Sequence, residues 1–190
     1  MNLNRKLNLV IPVEREDGLV YVHSTPISRE VFERYFMVIA KTFGRIVVEG
    51  LAQTSPRIAM LMLRRTAQDD GAWSGASGVE MGLVSEIRRL TNALLPLKTG
   101  GWETVPWHDV VANRMLEDEE VQEVENLLAF FTLSAAMRRR KEHEEMMEAM
   151  AEAFNLQTTS SDCTAFASSL PTSIATASSG ETVTGSLIPS

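Results

Sequence analysis

The chain has 190 residues, of which 44% are apolar, 23% charged and only 6% aromatic, enough for one domain with an appended segment. Its longest uncharged helix-like run, Asn126 to Met137, falls short of the roughly 18 to 20 apolar residues that cross a membrane, so a transmembrane protein is excluded. With 18 basic against 25 acidic side chains the formal charge is −7, which sets the chain against a phosphate backbone unless its cations are segregated.

Arg5 and Lys6 ahead of Leu7 to Val13 imitate a signal peptide, but Asn8 and Pro12 interrupt the apolar part and Glu14, Glu16 and Asp17 follow at once, so secretion is not expected. A single cysteine, Cys163, allows neither an internal disulfide nor a thiolate metal site, in keeping with a reducing cytosol. Leu7, Leu9 and Ile11 alternate with Asn8 and Val10. After the Asp17-Gly18 step, Leu19 to Val22 form a second β-prone run, so the N-terminus is expected to fold as a small hairpin. Pro26-Ile27-Ser28 is a helix start, with Ser28 as the cap and Ile27 and Phe32 placed as a hydrophobic staple. Phe32, Tyr35, Phe36, Ile39, Phe43 and Ile46 or Val47 then recur at spacings of three and four, predicting a helix with one wide apolar face to about Gly50. Ser55-Pro56 opens a second helix that runs to Asp70-Gly71 and packs antiparallel to the first.

Gly71 to Gly78 reads as a loop pinned by Trp73, and Val79 to Leu95 as a third helix ended by Pro96. Lys98 to Pro106 reads as another loop, followed by a short helix from Trp107 to Met115. No proline or glycine occurs between Glu117 and Phe154, and Val121, Val124, Leu128, Phe131 and Ala135 keep a three-four spacing. One long charged helix is therefore expected, about 55 Å from end to end at ~1.5 Å per residue, with its distal half projecting. From Leu156 the composition changes: sixteen of the last 35 residues are Ser or Thr, and Asp162 and Glu181 are the only charges, which predicts a disordered tail with at most a helical turn or two at Asp162 to Leu170. The expected fold is thus mainly α: a helical body at 1–155 with a small N-terminal β-hairpin, one long charged helix and a flexible Ser/Thr-rich tail at 156–190.

The catalytic inventory is empty. His23, His108 and His143 lie far apart and form no metal-binding spacing, and the Gly71 to Gly78 loop lacks both the dinucleotide and the phosphate-loop pattern. No serine sits in a nucleophile elbow and no base can be named for Cys163. Asp69, Asp70 and the carboxylates Glu117 to Glu125 are read as solvated or as helix-start charges rather than as acid/base pairs. The cations Arg138 to Lys141 are followed by Glu142, Glu144, Glu145 and Glu148, which can pair with them, so nucleic-acid contact is not expected on charge grounds. Catalytic, cofactor and metal residues are accordingly expected to be none. Ten methionines are many for this length; Met146, Met147 and Met150, with Phe131 and Phe154, form the apolar line of the long helix and are the expected protein-interaction residues.

Three stretches, LNLVIPVEREDGLVYVHSTPISREVFERYF from Leu7 to Phe36, GWETVPWHDVV from Gly101 to Val111 and QTTSSDCTAFASSLPTS from Gln157 to Ser173, resemble tail assembly chaperones of long-tailed double-stranded DNA bacteriophages. The resemblance implies a non-enzymatic morphogenesis factor in the host cell cytoplasm that binds the tape measure protein and helps recruit tail tube protein, with no membrane and no cofactor involved. A homo-oligomer is left open. The competing expectation is a structural tail or neck component retained in the virion, with the hairpin at Leu9 to Val22 adding to a neighbour's sheet.

Overall fold

The computed structural model describes residues 7–16, 18–49 and 54–171. Asp17, the expected helix end at Gly50 and residues 172–190 of the expected tail lie outside the described residues. The architecture is an α/β fold built on a five-stranded antiparallel sheet, which corrects the expectation of a helical body carrying only a small hairpin. The elements run β1 (Asn8–Arg15), β2 (Gly18–Ser24), α1 (Arg29–Val48), α2 (Ser55–Asp69), a π-helical turn (Glu80–Val84) continuing into α3 (Ser85–Arg89), β3 (Thr91–Pro96), β4 (Trp102–Pro106), α4 (Trp107–Ala112), α5 (Asp118–Met137), α6 (Arg140–Ala151), β5 (Gln157–Thr159) and α7 (Cys163–Ser169). Strand order is β4-β3-β2-β1-β5.

The hairpin forms as its alternation dictates, with Arg15 opposite Gly18 and Leu9 opposite Ser24. Gly18 has φ +134°, a conformation that side chains resist. It does not stand alone, however. β2 pairs with β3 along Tyr21 to Ser24, and β1 pairs with β5 along Asn8 to Val10, so the hairpin is the middle of the sheet rather than a ribbon free to join a neighbour. Period-two alternation then gives the sheet two covered faces. Leu9, Ile11, Val20, Val22, Ala93 and Val105 face the helical layer of α1, α2, α3 and α5 and merge into the main core with Ile39, Leu63, Leu83, Leu128 and Leu133. Val10 and Leu94 are fully buried on the other face, outside that cluster.

That second face is covered by the segment expected to be disordered. Thr158 and Thr159 extend the sheet as β5, Asp162 caps α7 by accepting from the Ala165 N–H at 2.8 Å, and Phe166 stacks edge-on to Tyr21 at 5.7 Å. The Ser161 carbonyl accepts from the Asn8 amide at 2.8 Å and lies 3.0 Å from His23 Nε2, while the Trp102 indole donates to the Pro171 carbonyl at 3.1 Å. β-Prone threonines and one aromatic anchor outweigh the polar average of this stretch.

The helix expected over Val79 to Leu95 ends early. The Thr91 hydroxyl lies 2.8 Å from both the Ile87 carbonyl and Ser24 Oγ, closing α3 and tying the start of β3 to β2. The loop expected over Lys98 to Pro106 contains β4, turned back on β3 through Gly100 and Gly101, both at positive φ. The long helix is also two helices. Arg138 and Arg139 are extended (ψ 155° and 151°), α5 stops at Met137, and α6 folds back so that His143 and Met147 are buried. Burial of His143 and Met147 holds the break.

Candidate protein-binding surface

Helix α1 is apolar over more of its circumference than one contact can use. Ser28 caps it by accepting from the Val31 N–H, and at 100° per residue Tyr35, Val38, Ile39, Thr42 and Ile46 turn to the core, where all five are buried. Phe36, Met37, Ala40, Phe43, Gly44, Val47 and Val48 fall on the adjoining arc, to which α1 itself contributes no charged residue between Phe36 and Val48. Four of these side chains stay in water: Phe36 is 43% exposed, Met37 62%, Val47 51% and Val48 85%. Phe32 stands edge-on to Phe36 with ring centroids 5.6 Å apart, and the Arg138 guanidinium covers the Phe43 ring at 5.5 Å. The exposed part amounts to roughly 400 Å² of contiguous apolar surface, the size at which a patch on a soluble domain is commonly functional.

Lys41 and Arg45 are drawn away from this arc, while Arg29 and Glu33 lie on the same side of the helix in the turns before Phe36. Lys41 pairs with Asp70 at 2.7 Å and Arg45 with Asp69 at 2.9 Å, both toward α2, and Arg29–Glu33 and Arg34–Glu30 bridge along the helix. The antiparallel packing of α1 and α2 expected from sequence is what these two cross-helix pairs describe. It also consumes Asp69 and Asp70 as ion-pair partners.

The expected interaction residues lie elsewhere. Phe131 and Met147 are each 1% exposed inside this chain's own core, and Met146, Met150 and Phe154 are half-buried against it. Arg57 sits over the Phe154 ring at 5.8 Å. Folding α6 back onto α5 turns most of the surface of these five toward this chain's own core. Between β1 and α5 a groove of about 250 Å³ has an apolar floor of Ile11, Val124, Leu127 and Phe154 and an acidic rim of Glu14, Glu120 and Glu123.

The remaining chemistry-bearing groups are engaged or shielded. His143 is 4% exposed, its ring 5.2 Å from that of Phe131, and burial pushes its pKa down to about 4. Burial also lowers the pKa of His23, against the raising effect of the Ser161 carbonyl and Asp162, and raises that of the Cys163 thiol, which disfavours its thiolate. Arg140 and Lys141 bridge to Glu144 and Glu145 one turn on. Among the described residues no three His, Cys, Asp or Glu side chains are grouped so as to hold a metal ion, and no helix is long and apolar enough to cross a membrane.

Sequence reasoning did contain the signal for the α1 arc. The run Phe32 to Val48 carries two apolar rows, and only one can face a single core. Comparison with protein-family models, with curated proteins and with solved structures finds no match for this chain.

Proposed function

We propose that this chain is a non-enzymatic assembly factor, a tail assembly chaperone of a long-tailed double-stranded DNA phage, acting in the host cytoplasm on the tape measure protein and helping tail tube subunits reach it. The observation that carries the protein-binding part is the uncharged outer arc of α1 from Phe36 to Val48. The phage assignment is supported by the three sequence stretches resembling that family. An exposed apolar helix face suits a client rich in amphipathic helices, whose own apolar stripe packs against it by ridges and grooves. The flexible Met37 adapts to differing partner side chains.

The magnitudes favour a complex that forms and releases. Covering roughly 400 Å² on each partner removes about 800 Å² in all from water, below the ~1,000 Å² that a stable specific interface needs. The net negative charge keeps such a complex soluble.

Co-expression with a phage tape measure protein tests the reading. Wild-type chain should hold the client in solution and co-purify with it, whereas Phe36→Asp with Val47→Asp should lose it, although both sites are exposed and the fold is retained. Equal capture by the variant would contradict the role given to α1. Stoichiometric recovery of the chain from purified particles would contradict the chaperone reading and favour the structural one.

A further inference from the structure

The outer arc of α1 has a symmetry of its own. Phe36 and Val48, Met37 and Val47, and Ala40 and Gly44 stand at equal distances on either side of Thr42. Large apolar residues occupy both ends and the two smallest occupy the middle. Phe43 is the exception, its mirror position being Lys41, and both stand at the edges of the arc. The three pairs are self-complementary when two copies of one helix run antiparallel, because each residue then meets its mirror position. Ala40 of one copy lies opposite Gly44 of the other, and Phe36 and Met37 lie at the level of Val48 and Val47.

Gly44 supplies an independent observation. Glycine in a helix interior costs helix stability relative to alanine, so its presence there calls for a packing reason. None exists among the described residues: a Cβ at Gly44 would meet nothing within 4 Å. By contrast, a Cβ at Gly78 or Gly82 would collide with its neighbours. The space over Gly44 is open, and a second helix approaching at roughly 8 Å between axes needs a small residue at the crossing point.

The charges of α1 itself are paired. Arg29, Glu30, Glu33, Arg34, Lys41 and Arg45 are each in an ion pair inside the chain, and a further cation at this face, Arg138, lies over the Phe43 ring at the edge of the arc, about 80° from the line through Ala40 and Gly44. The area sets the strength. Roughly 400 Å² from each copy totals somewhat under the ~1,000 Å² that a stable specific interface needs, so the pair is weak and exchangeable.

We infer that, without a client, α1 pairs antiparallel with α1 of a second copy across Ala40 and Gly44, forming a two-fold dimer that shields the same face. The inference rests on the proposed function only in taking this arc as the docking face. It makes the dimer the stored form and the monomer the binding form, with client capture linked to dimer dissociation.

Sedimentation velocity on the full chain from about 1 to 100 µM tests it. The expected result is a concentration-dependent monomer–dimer equilibrium in the micromolar range. Gly44→Leu should weaken dimerisation by about tenfold or more. Its melting temperature should hold or rise, because leucine is the better helix former and the site is open in the monomer. Val48→Asp should also abolish the dimer. A chain that stays monomeric throughout this range, or a dimer that survives both substitutions unchanged, overturns the inference. Loss of client capture in Phe36→Asp by a wild type that is monomeric sinks the dimer and leaves the function standing. A dimer that dissociates as expected while client capture is untouched by every α1 substitution supports the dimer and removes the function assigned to the face.

Discussion

His143 enters the fold as a neutral imidazole. It stands on α6, 4% exposed against the Phe131 ring, and its pKa falls from 6.5 to about 4 chiefly because burial penalises the charged form; Arg138 lowers it further and Glu144 opposes. The native pKa lies below the unfolded one, so the unfolded chain binds more protons between these values and stability rises with pH across that window. The contribution is therefore whole above about pH 6.5, declines as the solution is acidified, and is spent near pH 4. At ~1.4 kcal/mol per pH unit, the gap between 6.5 and about 4 corresponds to roughly 3 kcal/mol. For a chain of this length that is on the order of 10 °C in melting temperature.

The assay is urea unfolding at several pH values between 7.5 and 4, for wild type and His143→Leu, together with the NMR titration of the imidazole. Leucine keeps the apolar contact with Phe131 and cannot be charged, so the variant should show a shallower loss on acidification, and the difference between the two curves isolates this residue from His23, which contributes with the same sign. Hydrogen exchange in α6 should quicken first, since protonation acts on its docking to α5. Parallel pH profiles for the two proteins, or a titration of His143 near 6.5, would refute the reasoning.

Other perturbations follow from particular contacts. Gly82→Ala places a Cβ against the Tyr35 hydroxyl and ring, with Tyr35 itself buried, and should cost about 3 kcal/mol in urea unfolding; a neutral effect would mean that the π-helical turn can shift. Phe166→Ala should remove about 2 kcal/mol of local stability and speed hydrogen exchange through Ser161 to Pro171 while leaving α5 protected; unchanged exchange would show that the Ser161 and Trp102 hydrogen bonds hold the segment alone. Met147→Ala should cost about 2–4 kcal/mol, as a core truncation does, and lower client capture no more than the loss of folded protein explains.

The parts of the fold legible in sequence are those written in one local pattern. Ser28 and the three-four spacing after it specify α1, Ser55-Pro56 specifies the start of α2, and Leu9, Ile11, Val20 and Val22 specify a hairpin. What was hidden depends on distant partners. Leu94 and Leu95 satisfy a helical spacing from Ile87 as well as a strand, and pairing of Tyr21 to Ser24 with Thr91 to Leu94, some seventy residues apart, decides between them. Nothing in the sequence near Arg138 breaks a helix by propensity. The break is set by what α6 buries, His143 and Met147, once it turns back. The Ser/Thr-rich stretch at 156–171 looks disordered because composition averages over Leu156, which is buried, and Phe166, which anchors α7. For the candidate surface, the clustering of Met146, Met147 and Met150 is a local signal, whereas the exposure of the second apolar row of α1 depends on which of its two faces the core accepts.

The most direct test of the account is hydroxyl-radical footprinting of the free chain and of its complex with a tape measure fragment, at a concentration below the dimer's dissociation constant. Met37 on the α1 arc and Met81 in the π-helical turn are equally open at 62% and 63%, so each is the other's control. Binding through the α1 face predicts that oxidation of Met37 and Phe36 slows several-fold while Met81 oxidises as before. Unchanged oxidation of Met37 in a saturated complex would contradict the claim that this helix face receives the client.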